Sequence, residues 1–318
     1  MNSLAGSAPA AGRAEPAGAA ARGAGSPLAL SAAWISILLV SDLPAVLARA
    51  ATGAIPEWLA EARLGVLALL LVATLTVRAL RPLLGYAIVL MVFLLALAGS
   101  DRLGANAAWR GYFDTTPPSF TRGYTGLFLR DLGVAVAVIF ALLLVKRRRA
   151  DFFLVRGDWR APFAPVKWLG IRAGDSWSKL GWIFGGIAAA VVALVFALSL
   201  RPTGADLARA LPLLPAVLGL AAVNAFTEEV YFRASFLATL RAAIGGTQAI
   251  CIALVFFGLA HYLHGSPPGI VGTAMTGFLA YLLGKAMLET KGLLAPWFIH
   301  FVPDVVIFAS YAILYVRR

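Results

Sequence analysis

Along this chain, long apolar runs alternate with short polar or basic segments. Runs of bilayer length fall approximately at residues 29–49, 59–78, 83–100, 125–145, 180–200, 211–240, 247–264, 270–288 and 293–315. Within a hydrocarbon layer every backbone N–H and C=O needs an internal partner, and a helix of about 20 residues meets that need while crossing it. The pattern therefore predicts an all-α, polytopic transmembrane helix bundle of about 8–9 spans. Asp42 and Pro44 interrupt the first run, which predicts a kink with Asp42 turned toward the bundle interior. Gly185, Gly186, Gly272, Gly277 and Gly284 lie inside runs, where small residues let helices approach closely.

The pattern divides the chain into four parts. Residues 1–27 are built from Ala, Gly, Pro and Ser, too poor in large apolar side chains to offset the entropy of ordering, and are expected to be a disordered tail. They lack the order of a cleavable signal peptide, so the first run is expected to act as an uncleaved anchor. Residues 28–145 hold about four membrane spans, 146–179 form a basic loop, and 180–318 form a second membrane region. The loop opens with Lys146-Arg147-Arg148-Arg149 and carries nine Lys and Arg against three Asp, which places it on the cytoplasmic side. Arg78 and Arg81 fall on the same side if spans alternate, and so does the amino terminus; Arg317 and Arg318 then lie opposite, against the charge rule. Trp109, Tyr112, Phe113 and Phe120 mark residues 101–124 as an interfacial segment, a surface helix or lid. In the basic loop, Phe152 to Val155 with Trp159, Trp168 and Trp177 read mainly as interfacial anchors, with a small packed hairpin as the other reading.

Composition agrees with a membrane protein: 61% of the 318 residues are hydrophobic and 13% charged, with a mean hydropathy of +0.85, outside the soluble range. The net charge of +12 does not point to nucleic acid, because the basic residues sit at span ends and in one loop. The single cysteine, Cys251, excludes an intrachain disulfide and reads as packing. The lipid bilayer is the partner that composition implies.

Against that background a few ionisable residues need partners. Asn224 to Ser235 reads NAFTEEVYFRAS and places Glu228, Glu229 and Arg233 inside a run, where an ionised side chain costs roughly 2.5–3.5 kcal/mol on insertion scales. On a helix Glu229 and Arg233 stack at i and i+4 as a structural ion pair, whereas Glu228 points about 100° away and is left without a partner. All three histidines fall in the last sixty residues. His261 shares a helix face with Phe257; His264 precedes a Gly-Ser-Pro-Pro-Gly stop and is expected to be solvated. His300 and Asp304 stack one turn apart, with Pro303 bending the helix beside them. Glu228 and His261 lie roughly 20 Å from the cytoplasmic helix ends and His300 roughly 10–12 Å, so tilt must bring His300 into register. All of these groups are expected to converge on one polar cavity, with Glu228, His261 and His300 within about one water of each other.

A carboxylate beside imidazoles supplies a base for water and donors for an oxyanion, as hydrolysis requires. Glu228, His261 and His300 would equally serve as ligands if a divalent metal such as Zn is used, although no HExxH is present. No GxSxG elbow is present, and Ser235 and Ser310 have no base near them in sequence.

Glu228-Glu229-x-x-x-Arg233, Phe257-x-x-x-His261 and His300-x-x-x-Asp304, in this order on successive runs, resemble the three motifs of the CPBP (Abi) family of intramembrane proteases, which includes the type II CAAX prenyl proteases. The resemblance covers roughly residues 180–315. It implies that 180–318 is a catalytic membrane domain in which Glu228, helped by His261, activates water and His300 with Asp304 stabilises the oxyanion, while Glu229 and Arg233 form the structural pair. It further implies an intramembrane endopeptidase acting on a membrane-associated or lipid-linked protein near the cytoplasmic side, with no cofactor required. Asp304 stands where prenyl proteases typically carry Asn, and Ala234 where an Arg-Gly pair is common. An ionised Asp304 cannot donate to an oxyanion, so it must be protonated, orient His300 or ligate a metal. The expected setting is a prokaryotic cell membrane.

Two other classes use similar residues. A proton-coupled transporter would employ a buried carboxylate and histidine chain, but inverted repeats are expected there and none is visible in the sequence. A non-catalytic immunity or scaffold protein would not need Glu228 and both histidines together.

Overall fold

The computed structural model describes residues 26–172, 174–265 and 267–318. The expected disordered tail, apart from its last two residues, and the expected solvated His264 side chain lie outside the described residues. The helices are α1 (Pro27–Val40), α2 (Leu43–Thr52), α3 (Leu59–Thr76), α4 (Leu84–Ala105), α5 (Ala107–Phe113), α6 (Phe120–Lys146), α7 (Trp177–Leu200), α8 (Gly204–Ala210), α9 (Leu214–Glu228), α10 (Ser235–Ile244), α11 (Gly246–His264), α12 (Gly269–Thr290) and α13 (Leu294–Val316). Among the described residues there is no strand, only isolated bridges within the basic loop. Eight helical stretches are long and apolar enough to cross a membrane, or up to nine if α1 and α2 are one span bent by 47°. The chain is an all-α, integral multi-pass membrane protein.

Local chemistry accounts for the breaks. Ser41, Asp42 and Pro44 separate α1 from α2, and Asp42 is satisfied by Arg63 of α3 at 2.9 Å, so the kink carries an interhelical ion pair. Thr203 and Asp206 form a capping box at the start of α8, satisfying otherwise orphaned backbone donors. From Gly204 to Ile244 the helical run covers 41 residues. At 1.5 Å per residue that is about 60 Å, roughly twice the hydrocarbon core. Its carboxy-terminal end packs against the basic loop, where Arg241 lies over the Phe153 ring at 4.8 Å.

The basic loop packs on the bundle through part of its aromatic set. Phe152, Phe153, Phe163 and Trp177 are buried, and antiparallel bridges pair Pro162 with Ser176 and Val166 with Ile171, which favours the hairpin reading. Glu289 at the end of α12 pins the loop by accepting from the Trp177 indole N–H at 2.9 Å and the Ala164 N–H at 3.1 Å, while also pairing with Lys285. Asp158 N–H donates to Thr290 O at 2.8 Å and Leu293 N–H to Val155 O at 2.8 Å, seating the loop on the α12–α13 turn. At the opposite end of the bundle, Arg317 bonds the carbonyls of Leu200 and Arg201 and pairs with Asp206 at 2.7 Å. This role explains a basic residue on the side that the charge rule disfavours.

The loop seat depends on a backbone approach that only glycine allows: a Cβ at Gly292 would lie 2.3 Å from the Gly157 backbone nitrogen. Gly292→Ala is therefore expected to destabilise the protein by about 1–3 kcal/mol, as overpacking does. Faster tryptic cleavage within 146–172 and a lower thermal midpoint in detergent check this; an unchanged digestion pattern contradicts it.

Candidate active site

α9 passes into a π-helical segment, Glu229–Ala234, at the point where the two glutamates stand. At its start the Glu229 N–H is shared between Ala225 O and Phe226 O, and the six residues from Glu229 take the wider π-helical turn, a feature common at functional sites. All six residues of this segment are buried. The two carboxylates are thereby separated: the Glu229 side chain is 0% exposed, whereas that of Glu228 is 17% exposed and lines a cavity.

α13 supplies the facing groups and is held to α9 by the Trp297 indole N–H donating to Ala222 O at 3.0 Å. His300 sits between three carboxyl groups. Its Nδ1 donates to Glu229 Oε1 at 2.9 Å, and its Nε2 lies 3.5 Å from Glu228 Oε2 and 3.8 Å from Asp304 Oδ1. Because Nδ1 is committed to Glu229, Nε2 is the nitrogen turned to Glu228. Asp304 Oδ2 accepts from the Asn224 amide at 3.0 Å, which orients that carboxyl. On α11, His261 Nδ1 lies 2.9 Å from Phe257 O. A carbonyl only accepts, so Nδ1 carries the proton and Nε2 of neutral His261 is left as the acceptor.

The expected pair of Glu229 and Arg233 is present, with Arg233 Nε 3.4 Å from Glu229 Oε1 and both side chains fully buried. Glu229 is shared with His300, however, so it does more than neutralise its own helix. Arg233 also stacks over the Phe257 ring at 3.8 Å, a cation–π contact that partly replaces the hydration it has lost.

Glu228, His261, His300 and Asp304 line one cavity of about 540 Å³. Convergence thus holds for these four, while Glu229 and Arg233 lie behind the wall, and the direct approach of Glu228 to His300 removes the depth mismatch counted along the helices. That count began from the end of α10, where a helical run of 41 residues, longer than one crossing needs, meets the basic loop. The His261 ring packs at 4.3 Å on Phe257, whose ring is 6.0 Å from that of His300. Most of the remaining wall is apolar, with Phe184, Ile187 and Val191 of α7 and Met275, Phe278 and Leu279 of α12. Ile187 and Phe278 are 58% and 47% exposed while lining the cavity, so this wall adjoins lipid. Among the described residues no three His, Cys, Asp or Glu side chains are grouped so as to hold a metal ion.

Two wall residues were missed by sequence reasoning. Asn224 stands one turn before Glu228, and its spacing was available as a signal. Asp131 reaches the cavity from α6, outside the region covered by the motifs; an acidic residue inside an apolar run was its signal.

Comparison with protein families bears on this geometry. Residues 209–306 match the model of the type II CAAX prenyl endopeptidase Rce1-like family. The matched region holds all three motifs and the α9–α13 packing that joins them. It is consistent with the CPBP resemblance and supports, at the family level, a CAAX-type intramembrane endopeptidase with a membrane-associated protein as substrate. Neither the curated proteins nor the solved structures give a match to the chain.

The different burial of the two glutamates has a stability consequence. Removing one partner of a fully buried ion pair costs roughly 3–5 kcal/mol, so Glu229→Ala is expected to lower stability by about that amount. Glu228→Gln keeps shape and hydrogen bonding and should leave unfolding nearly unchanged. Unfolding of both variants in the same detergent compares them, and equal losses contradict the division.

Proposed function

We propose that this chain is an intramembrane endopeptidase that hydrolyses a peptide bond in a membrane-associated or lipid-linked protein. The observation that carries the reading is the approach of Glu228 to His300 Nε2 at 3.5 Å, on the wall of a mainly apolar cavity. A peptide segment with apolar flanks fits such a wall, and the polar end offers the groups that amide hydrolysis uses.

In this reading a water lies between Glu228 and the His261 Nε2 acceptor. Glu228 takes a proton from the water as its oxygen attacks the scissile carbonyl, and His261 holds the water in line. His300 is anchored through Nδ1 to Glu229, so its position is fixed before substrate arrives; protonated at Nε2, it donates to the developing oxyanion. Asp304, held by Asn224, places negative charge 3.8 Å from His300 Nε2 and so favours its protonated form, which suits an acidic residue at a position where donation is not required. Glu228 then returns its proton to the leaving amine, and the C–N bond breaks. No step passes through a metal, and none of the proposed roles needs one.

Glu228→Gln and His261→Ala are expected to fold and insert but to lose at least ~10²-fold in cleavage, the range for a general base or its partner. Comparing peptide termini in membranes of cells carrying the parent or Glu228→Gln identifies the cleaved substrate. Retention of the same termini with the variant overturns the assignment. Cleavage by purified protein is expected to survive treatment with a strong divalent-metal chelator, and loss restored by added Zn²⁺ contradicts the metal-free route.

A further inference from the structure

Two observations bear on the side of the membrane from which the cavity is reached. The first is its direction. Tyr124 and Leu127 line it from the amino-terminal part of α6, Tyr311 from the carboxy-terminal part of α13, and Gly265 and Pro267 from the α11–α12 turn. All of these lie at the end of the bundle away from the basic loop. A second cavity, of about 290 Å³, shares Tyr124, Leu127 and Tyr311 with the first and continues to Pro118 and Arg318 at that same end. The cavity of the catalytic groups is therefore followed, toward that surface, by a second cavity across shared walls.

The other observation is what lies on the loop side of His300. Phe163, Trp177, Leu283, Ala286, Ala295 and Ile299 form one buried apolar cluster, with Ile299 immediately before His300 in the chain. The loop residues in this plug are held by Glu289 and by the backbone bonds at the α12–α13 turn. Orientation follows from charge: residues 146–179 carry nine Lys and Arg against three Asp, whereas 101–124, at the opposite end, carry three Arg against two Asp. The plugged end is cytoplasmic.

We propose that the scissile segment enters from the non-cytoplasmic side. The substrate class is a membrane-anchored protein whose cleaved peptide lies at or beyond the outer membrane interface, with apolar residues flanking the bond. This replaces the expectation of cleavage near the cytoplasmic side and rests on the peptidase reading for the word substrate, but the direction of access is a property of the fold.

The test reads access separately from activity. In a Cys251→Ser background, Thr276→Cys or Leu127→Cys places one thiol on the cavity wall, and Lys167→Cys places one on the basic loop as the topology marker. Each full-length variant is treated with a charged, membrane-impermeant thiol reagent in sealed right-side-out and inside-out vesicles. The expected result is loss of the Thr276→Cys and Leu127→Cys thiols only in right-side-out vesicles and of the Lys167→Cys thiol only in inside-out vesicles. Two wall positions on different helices guard against a variant that fails to fold. Modification of both wall thiols from the Lys167 side, or of neither from either side, overturns the proposal. The same labelling in a Glu228→Gln background separates the two readings: unchanged labelling with unchanged cleavage removes the peptidase assignment and leaves the direction of access standing, while labelling from the loop side does the reverse.

Discussion

A carboxylate buried inside a membrane protein has to be shared, and Glu229 is shared between two helices. Its Oε1 lies 3.4 Å from Arg233 on its own helix and 2.9 Å from His300 Nδ1 on α13. The arginine allows the glutamate to be buried, and the glutamate in turn fixes the histidine. The Nδ1 bond to Glu229 leaves Nε2 as the nitrogen that faces Glu228 and Asp304. The Arg233 face that is not paired rests on Phe257, whose helix also presents His261. One buried charge network thus sets the relative positions of α9, α11 and α13, the three helices that carry the proposed catalytic groups.

The rest of the bundle gives this network its surroundings. α7 and α12 provide an apolar wall that adjoins lipid, and α6 adds Asp131 and the aromatic side chains of Tyr124 and Phe128. The basic loop, packed through Phe163 and Trp177, fills the space on the other side of Ile299. Low polarity around the cluster strengthens each of its hydrogen bonds and raises the cost of leaving any of them unmade. That is a reason for orientation to be built in through Asn224, Glu229 and the Phe257 carbonyl, and not left to solvent.

Much of the site was legible because its chemistry is local in sequence. Glu229 with Arg233, Phe257 with His261 and His300 with Asp304 each stand four residues apart, and the apolar background makes each ionisable residue conspicuous. Asn224 stands in the same stretch as the two glutamates, but a neutral amide carries no such cost and gives no comparable signal. Asp131 was conspicuous yet isolated, because α6 meets the site only in the folded bundle. Phe163 and Trp177 had the composition of interfacial anchors, and their burial came from contacts with Glu289 and with the α12–α13 turn.

By itself the sequence determined the all-helical membrane architecture, the separate placement of Glu228 and Glu229, and the motif residues, since helical periodicity and the cost of charge in lipid act along one segment at a time. The tertiary structure decided that Glu229 is shared with His300, that Asn224 and Asp131 belong to the cavity, and which end of the bundle the loop closes. Those outcomes depend on how separate helices are juxtaposed, and no periodicity within one helix encodes the azimuth or the depth at which another will meet it.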